Sequence, residues 1–281
     1  MNTYFGGWYF KCQNREQTLA VIPAYHVTDG VPSASVQLIT DEGAWNVPFP
    51  IEEYRADGIR FPIRIGQNTF GRTGFSLCLH TDGLNAVGQV RFGDLTPLRY
   101  DIMGPFRYVP FMECRHSVVS MLHTVTGTVT VNGTSYRFDN AQGYSEGDRG
   151  RSFPRTYAWT HCFLPQGSLM LSVAEIPMGK LRFTGIIGAI LWEGRQYRIA
   201  TYLGAKAIRA EKGEIVVRQG DLTLTAKLLE RHAHPLFAPV QGAMTRTIRE
   251  SAACIASYVL EEKGKTVFSL TTDRASFEDE L

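Results

Sequence analysis

Along most of this chain, apolar and polar residues alternate in short runs, and turn residues separate one run from the next. The segments 126–131 and 134–138 are an example, because they flank Asn132-Gly133, the pair most typical of a two-residue β-hairpin turn. Glu193-Gly194 separates a second such pair of segments. Runs of this kind recur at intervals of about 8–12 residues, a spacing typical of β-sandwiches and β-barrels. The pattern therefore predicts an all-β protein, in which 247–257 is a strand rather than a helix because β-branched residues dominate on either side.

Two proline-rich segments interrupt the strand pattern. The first spans 97–110, and a central strand does not tolerate its prolines. Because each side of it holds enough strands for its own closed or nearly closed sheet, we predict a first antiparallel barrel over 1–104 and a second over 105–281. The other segment, 234–239, precedes the last three strands, which we expect to pack against either barrel.

Composition and charge exclude several classes of function. The chain has 281 residues and a formal net charge of +2, which is too small and too evenly spread to indicate nucleic acid as the main partner. No nucleotide-binding glycine loop, GxSxG elbow or HExxH motif is present. The acidic end formed by Glu278, Asp279 and Glu280 is expected to be a solvated tail.

The cysteines and the opening residues indicate a compartment. The five cysteines are odd in number, widely scattered and never at a metal-binding spacing, which favours free buried thiols in a reducing environment. The opening residues lack the basic start and long apolar run of a secretory signal. We therefore expect a cytoplasmic protein.

The segment 143–154 carries the chemistry from which a function can be argued. It places Glu146 and Asp148 beside Arg149 and Arg151 within a stretch that otherwise reads strand, turn, strand. Buried charge of this kind is costly unless it is paired. One interpretation is structural: Arg149, Arg151 and Arg155 pair with the two carboxylates and lock the turn. The other is a catalytic or ligand-binding site.

Strand geometry groups the candidate site residues on two faces. With a period of two, one strand presents Tyr144, Glu146 and Asp148 on one face, and the returning strand presents Tyr157, Trp159 and His161. If both faces point inward, they form an aromatic-lined pocket that holds a proton donor and two carboxylates.

The remaining polar candidates favour structural interpretations. Glu113, His116 and Glu250 are each a single polar residue in a mixed segment, and we interpret them as ion pairs or turn contacts. His232 and His234 alternate in a loop without a third ligand nearby, so we predict no metal site.

Three blocks of the chain resemble the tocopherol cyclase-like family. The first is Gly7-Trp8-Tyr9-Phe10-Lys11, the second runs from Gly143 through Phe153-Pro154 to Trp159, and the third runs from Leu236 through Glu250 to Ser251. They stand in the family's order and cover nearly the whole chain. The resemblance implies two lipocalin-like barrels in tandem and a relation to carotenoid 1,2-hydratases. Plant members close a chromanol ring on a prenylated quinol, a reaction that needs an acid and a dry pocket but no metal or nucleotide.

Under this resemblance we expect a hydrophobic small molecule, isoprenoid or aromatic, as the partner, with no cofactor. Asp148 and Glu146 are the candidate acids for a proton-initiated cyclisation or hydration. The candidate ligand contacts are Tyr144, Tyr157, Trp159, His161, Arg149 and Trp8, although Trp8 is favoured as a packing residue at the closed end of a barrel.

Two other interpretations stay open. The protein is a non-catalytic lipocalin-type carrier of a lipophilic molecule, or its barrels are filled by side chains and it acts through its surface. A transient contact with a membrane surface and the oligomeric state are also left open.

Overall fold

The computed structural model describes residues 2–110, 112–178 and 181–281, and no α-helix occurs in these ranges. Three short 3₁₀ turns lie at Ile51–Glu53, Gly104–Tyr108 and Thr201–Leu203. All other regular elements are β-strands, and they form two large antiparallel sheets. Within the described ranges, no helix is long and apolar enough to cross a membrane. The predicted all-β fold built from two antiparallel sheets is confirmed, whereas closure of each sheet into a barrel stays a prediction.

The first sheet has eleven strands in the order β4-β3-β2-β1-β11-β10-β9-β8-β7-β6-β5. Its strands are β1 (Tyr4–Gln13), β2 (Thr18–Thr28), β3 (Val31–Thr40), β4 (Ala44–Phe49), β5 (Tyr54–Arg55), β6 (Ile63–Ile65), β7 (Asn68–Gly71), β8 (Gly74–Thr81), β9 (Leu84–Phe92), β10 (Cys114–Val131) and β11 (Thr134–Gly150). The predicted turn joins β10 to β11, with Asn132 and Gly133 both at positive φ as a two-residue hairpin of this type requires.

The second sheet has ten strands, in which β15-β14-β13-β12-β21-β20-β18-β17-β16 run side by side and β19 pairs with β20. Its strands are β12 (Tyr157–Leu164), β13 (Gly167–Met178), β14 (Leu181–Trp192), β15 (Arg195–Ala200), β16 (Lys206–Glu211), β17 (Glu214–Gln219), β18 (Leu222–Glu230), β19 (His234–Val240), β20 (Ala243–Glu262) and β21 (Lys265–Glu280). The acidic end is therefore not a solvated tail. It is the end of β21, and the Glu278 side chain is buried.

The chain divides into two compact units, and this division differs from the predicted one, which had a single boundary at 104/105. The first unit comprises Met1–Arg99, Phe111–Phe153 and Leu236–Thr247. The second comprises Tyr100–Pro110, Pro154–Pro235 and Ile248–Leu281. The reason for the difference is strand pairing: β10 and β11 hydrogen-bond to β9 and β1, so they complete the first sheet rather than start the second.

Each unit has its own hydrophobic core. The first core draws on most strands of the first sheet and includes Phe10, Cys12, Phe70 and Val129. The second includes Cys162, Leu171, Tyr258 and Phe277. Trp8 packs against the first core, where its indole N–H donates to the Ile59 carbonyl at 2.8 Å and its ring lies 4.6 Å from that of Phe61. This contact fits the predicted packing role of Trp8.

Gly147 makes room for the Trp8 ring, and this generates a stability prediction. A Cβ at Gly147 would lie 2.2 Å from the Trp8 ring, closer than any real contact. We expect Gly147→Ala to lower the free energy of unfolding by about 1–3 kcal/mol, because the indole must leave its position in the core. Urea denaturation measures the change.

Gly83→Ala is the matched control, since a Cβ there meets nothing within 4 Å. We expect it to change stability by no more than about 0.5 kcal/mol. Equal stabilities of the two variants would show that the contact between Trp8 and Gly147 does not limit packing.

Candidate functional site

Strand β11 separates two sets of side chains by simple alternation. On one face, Ser145 stands opposite the core residue Phe10, and Gly143 stands opposite the core residue Cys12. On the other face lie the candidate residues Tyr144, Glu146 and Asp148, with register partners Lys11, Tyr9 and Gly7 in β1. The predicted grouping of the three residues on one face is therefore confirmed. The sequence analysis left open whether this face points inward, and on β11 it points away from the hydrophobic core of the unit.

His116 brings the two candidate carboxylates into one network. The register of β10 against β11 sets His116 opposite Asp148 and Val118 opposite Glu146. The His116 ring forms a hydrogen bond through Nδ1 with Asp148 Oδ1 at 3.0 Å. Its Nε2 lies 3.1 Å from Glu146 Oε2, within ion-pair distance. A single imidazole thus contacts both carboxylates, one through each ring nitrogen.

Two neutral donors complete what we call the carboxylate–histidine network, which consists of Cys114, His116, Tyr144, Glu146 and Asp148. The Tyr144 hydroxyl donates to Glu146 Oε2, and the Cys114 thiol lies 3.4 Å from Asp148 Oδ1. Tyr144 and Glu146 are buried, with relative exposures of 0% and 5%, and Asp148 is partly exposed. The network therefore extends from a buried phenol to a carboxylate near solvent.

Charge within the network fixes the protonation of three members. Burial acts to lower the pKa of His116, but the Glu146 and Asp148 carboxylates outweigh burial and raise that pKa well above its ordinary value. Burial and the same two acids raise the pKa of the Tyr144 hydroxyl and of the Cys114 thiol. At neutral pH the network therefore holds an imidazolium cation, a neutral phenol and a neutral thiol.

The arginines do not play the part that the structural interpretation gave them. Arg149 is exposed, and alternation along β11 sets it on the opposite face from Glu146 and Asp148. Within the described part of the first unit, the salt bridges of these two carboxylates run to His116 and not to Arg149 or Arg151. The predicted pairing with these two arginines is wrong, because β10 supplies a closer cation. Arg155 belongs to the second unit.

His116, Glu146 and Asp148 also form a group whose potential metal-ligand atoms lie within 4.8 Å of one another. A metal ion could bind only one ring nitrogen at a time, and Nδ1 is hydrogen-bonded to Asp148. Binding through Nε2 would displace the proton that the two carboxylates hold on the ring. The arrangement is that of an ion-paired histidine, and the expectation that this chain uses no metal stays a prediction.

The other three candidates lie together in the second unit, on β12. Ala158, Cys162 and Leu164 contribute to the second core, so Tyr157, Trp159 and His161 face the opposite side of the sheet, and all three are buried. The Trp159 and His161 rings stack with centroids 6.5 Å apart, and the Phe163 ring lies 4.8 Å from His161. This row of rings confirms the predicted common face. The predicted pocket, formed by this face and the face of Tyr144, Glu146 and Asp148, stays a prediction.

Sequence reasoning missed the carboxylate beside this row. The Tyr157 hydroxyl donates to Glu278 Oε2 at 2.5 Å, and the register of β20 against β21 sets Glu250 opposite Glu278. Glu250 is 1% exposed. Period-two alternation along β21 could have indicated that Glu278 lies on a buried face. It was not applied, because the acidic end was interpreted as a solvated tail.

Comparison with solved structures supports the observed fold. Solved structures of the same fold include CghA in complex with Sch210972, which superposes with a TM-score of 0.62 at 11% identity over 100% of this chain and 89% of that one. Kievitone hydratase from Nectria haematococca superposes with a TM-score of 0.55 at 10% identity, over 99% and 89% of the two chains. The protein therefore has the all-β fold of these structures over its whole length.

The sequence comparisons concern a shorter region. The model of the tocopherol cyclase-like family matches residues 85–181, which include all of β9 but its first residue and the whole of β10 to β13. The probable chloroplastic tocopherol cyclase of Oryza sativa subsp. japonica is 27% identical over 120 residues, 40% of this chain and 26% of that protein. The predicted resemblance to the tocopherol cyclase-like family is confirmed over this region, which contains the carboxylate–histidine network.

The ion pairs of His116 predict how stability depends on pH. A histidine with a raised pKa in the folded state contributes its full stabilisation below its unfolded pKa, near 6.5, and loses it as the pH rises toward the folded value. As the pH rises above about 6.5, we expect the free energy of unfolding to fall by up to about 1.4 kcal/mol per pH unit relative to His116→Gln, until the raised pKa of His116 is passed. Urea denaturation of both proteins across this range measures the difference.

Two other buried histidines titrate outside the pH range of this measurement. Burial lowers the pKa of His26 and of His123 to about 4, so they titrate below it. A constant difference between wild type and His116→Gln across the window would show that His116 is not held as a cation.

Proposed function

We propose that this protein binds an apolar isoprenoid or aromatic molecule and catalyses a proton-initiated addition to one of its double bonds, which closes a ring or adds water. The observation that carries the proposal is the carboxylate–histidine network, in which a cation and two carboxylates lie together on the face of β11 that points away from the core. Buried ion pairs of this kind add little net stability, so the network calls for an explanation beyond folding.

The chemistry of the reaction matches what the network contains. Addition begins when a proton bonds to one alkene carbon and leaves a cation on the other. A hydroxyl group, from the same molecule or from water, then bonds to that cation and releases its own proton. The reaction thus needs one group that gives a proton and one that takes a proton, and the network holds an imidazolium beside carboxylates. No oxidation or reduction takes place.

Burial and aromatic side chains suit a cationic intermediate. Tyr144 and Glu146 are almost fully buried, as is Tyr9, the register partner of Glu146 in β1. Exclusion of water strengthens the electrostatic effect of the network and protects the cation from other nucleophiles. In the second unit, the buried rings of Tyr157, Trp159 and His161 offer faces that attract both apolar ligands and cations.

The comparisons support the same class of reaction. The rice relative is named a probable tocopherol cyclase, and one protein of the same fold is named a hydratase. Ring closure and hydration both follow when a hydroxyl group attacks a carbon that protonation has made cationic, and the two differ only in where that hydroxyl comes from. One proton-transfer network can therefore serve either reaction.

Loss of one carboxylate tests the proposal. We expect Asp148→Asn and Glu146→Gln each to lower turnover of a prenyl quinol by about 10²–10⁴-fold, because either change disrupts proton transfer within the network. Binding of the quinol should stay close to that of wild type, since an apolar ligand owes its affinity to its hydrocarbon part. Chromatography with mass detection follows the product, and native mass spectrometry follows binding.

Asp57→Asn is the matched control, because Asp57 is an exposed carboxylate of the same unit that pairs with Arg60. It should leave turnover and binding unchanged. If wild type binds the quinols but converts none of them, the protein is a carrier and the catalytic proposal fails. Absence of binding to any isoprenoid or aromatic probe would contradict both.

A further inference from the structure

We propose that a flat ring of the bound molecule lies on the bare backbone of Gly7, between the side chains of Phe5 and Tyr9, and that the missing side chain at position 7 selects ligands with such a ring. This role of Gly7 rests on the proposed function, in which the protein binds an apolar molecule. It adds a contact surface and a residue that determines specificity, neither of which the fold or the comparisons indicate.

Gly7 lies within β1, on the sheet face that points away from the core. The even-numbered residues of β1 face the core, so alternation sets Gly7 on the other face together with Phe5 and Tyr9. Its register partners are Asp148 in β11 and Ala24 in β2. Gly7 therefore shares a face with the carboxylate–histidine network and lies one strand away from it.

The glycine at this position is not explained by the backbone of β1. Glycine weakens a strand, and its usual reasons there are a bulge, a left-handed backbone, or the close approach of a ligand or another backbone. The pairing of β1 with β11 runs from Phe5 to Gln13 without a register shift, and Gly7 is not among the described residues with positive φ. The close approach of another group is the reason that remains.

The protein itself does not supply that group. A Cβ at Gly7 would meet Ala24 Cβ at 3.2 Å, the Pro23 carbonyl oxygen at 3.4 Å and Ala24 Cα at 3.7 Å. These three nearest atoms all belong to β2, the neighbouring strand of the same sheet, and not to an element packed on its face. The preceding glycine differs, because a Cβ at Gly6 would lie 2.5 Å from the Ile59 side chain. A side chain of the protein thus fills the space beside Gly6, whereas the space beside Gly7 is open.

Exposure agrees with an opening at this position. Gly7 is partly exposed, although Phe5 and Tyr9 on either side of it are only 4% and 7% exposed. These two residues are about 13 Å apart along the strand, since each residue advances an extended chain by about 3.3 Å. A flat ring can therefore lie against the backbone with an aromatic side chain at either end. Ile22, on the same face of β2, is also partly exposed and extends the surface for an apolar tail.

Asp148 supplies a polar contact at the edge of this surface. Its side chain is 24% exposed, and within the described ranges its contacts with His116 and Cys114 both run to Oδ1. Both partners belong to β10, which lies on the opposite side of β11 from Gly7. The second oxygen, Oδ2, can therefore accept a hydrogen bond from a hydroxyl group on the ring. This contact orients the ring on Gly7.

Side chains added at position 7 test the contact surface. The probe is a naphthol, whose rings are flat and carry one hydroxyl group, and calorimetry measures its affinity. We expect Gly7→Ala to lower that affinity by about 10–200-fold, because one additional methyl group occupies the place of the ring. Gly7→Val should lower it further. The saturated and puckered decahydronaphthol should bind wild type more weakly than naphthol and lose less affinity in both variants.

Gly71→Ala is the matched control, because Gly71 is a partly exposed strand glycine of the same unit whose Cβ would meet nothing closer than 3.9 Å. It should bind naphthol as wild type does. Ala24→Gly, combined with Gly7→Ala, relieves the contact between the two strands and should bind naphthol as weakly as Gly7→Ala alone. Circular dichroism reports whether each variant folds.

The outcomes separate this inference from the proposed function. Folded Gly7 variants that bind naphthol as tightly as wild type overturn the role of Gly7. A wild-type protein that binds prenyl quinols but not naphthol also overturns it and leaves the proposed function intact. Absence of binding to any isoprenoid or aromatic probe overturns both.

The methyl ether of the naphthol tests the contact with Asp148. The ether cannot donate a hydrogen bond, so wild type should bind naphthol about tenfold or more tightly than the ether, as for a hydrogen bond to a carboxylate. Asp148→Ala should remove this preference, whereas Asp148→Asn keeps an acceptor oxygen and should retain part of it. An unchanged preference in Asp148→Ala would show that the hydroxyl group does not contact Asp148.

Discussion

The two-residue alternation of β11 is the constraint on which both the first core and the candidate site depend. Between residues 143 and 147, one face of the strand carries the small residues Gly143, Ser145 and Gly147. Ser145 and Gly147 stand opposite Phe10 and Trp8 of β1 and leave room for these bulky side chains. The other face carries Tyr144, Glu146 and Asp148. A slip of one residue in the pairing of β1 with β11 would turn the acids into the core and the glycines outward. Packing of the aromatic core therefore fixes the position of the acids.

The carboxylate–histidine network shows how the charge of a buried carboxylate is compensated in this fold. A buried carboxylate is expensive unless a cation and hydrogen bonds compensate for lost hydration. His116 supplies the cation to both acids, and Tyr144 adds a hydrogen bond to Glu146. The compensation contributes little net stability, but it holds the His116 ring and the two carboxylates at fixed positions. Under the proposed function, such positioning would remove the reorganisation that solvent dipoles otherwise undergo during a reaction.

The sequence predicted what depends on local patterns and missed what depends on long-range pairing. The strands, the turn at Asn132-Gly133 and the common face of Tyr144, Glu146 and Asp148 follow from alternation over a few residues. His116 could not be paired with Asp148 in this way. The register of Val131 with Thr134, continued without interruption, would set Ser117 opposite Asp148. Irregularities in the pairing of β10 with β11 shift the partner by one residue. The sequence did not indicate that Glu278 contacts Tyr157, because this contact depends on the pairing of β12 with β21, which are far apart in the chain.

Both units contain a tyrosine whose hydroxyl donates to a glutamate, but the groups around this pair differ between the units. In the first, the Tyr144 hydroxyl donates to Glu146, and in the second the Tyr157 hydroxyl donates to Glu278, each on the sheet face that points away from the core. A phenol bonded to a carboxylate is a weak acid and holds its proton at neutral pH. The first unit adds an imidazolium 3.1 Å from its glutamate, whereas the second places a row of aromatic rings on β12. Under the proposed function, proton transfer is therefore assigned to the first unit, and binding of an apolar molecule or a cation to the rings of the second.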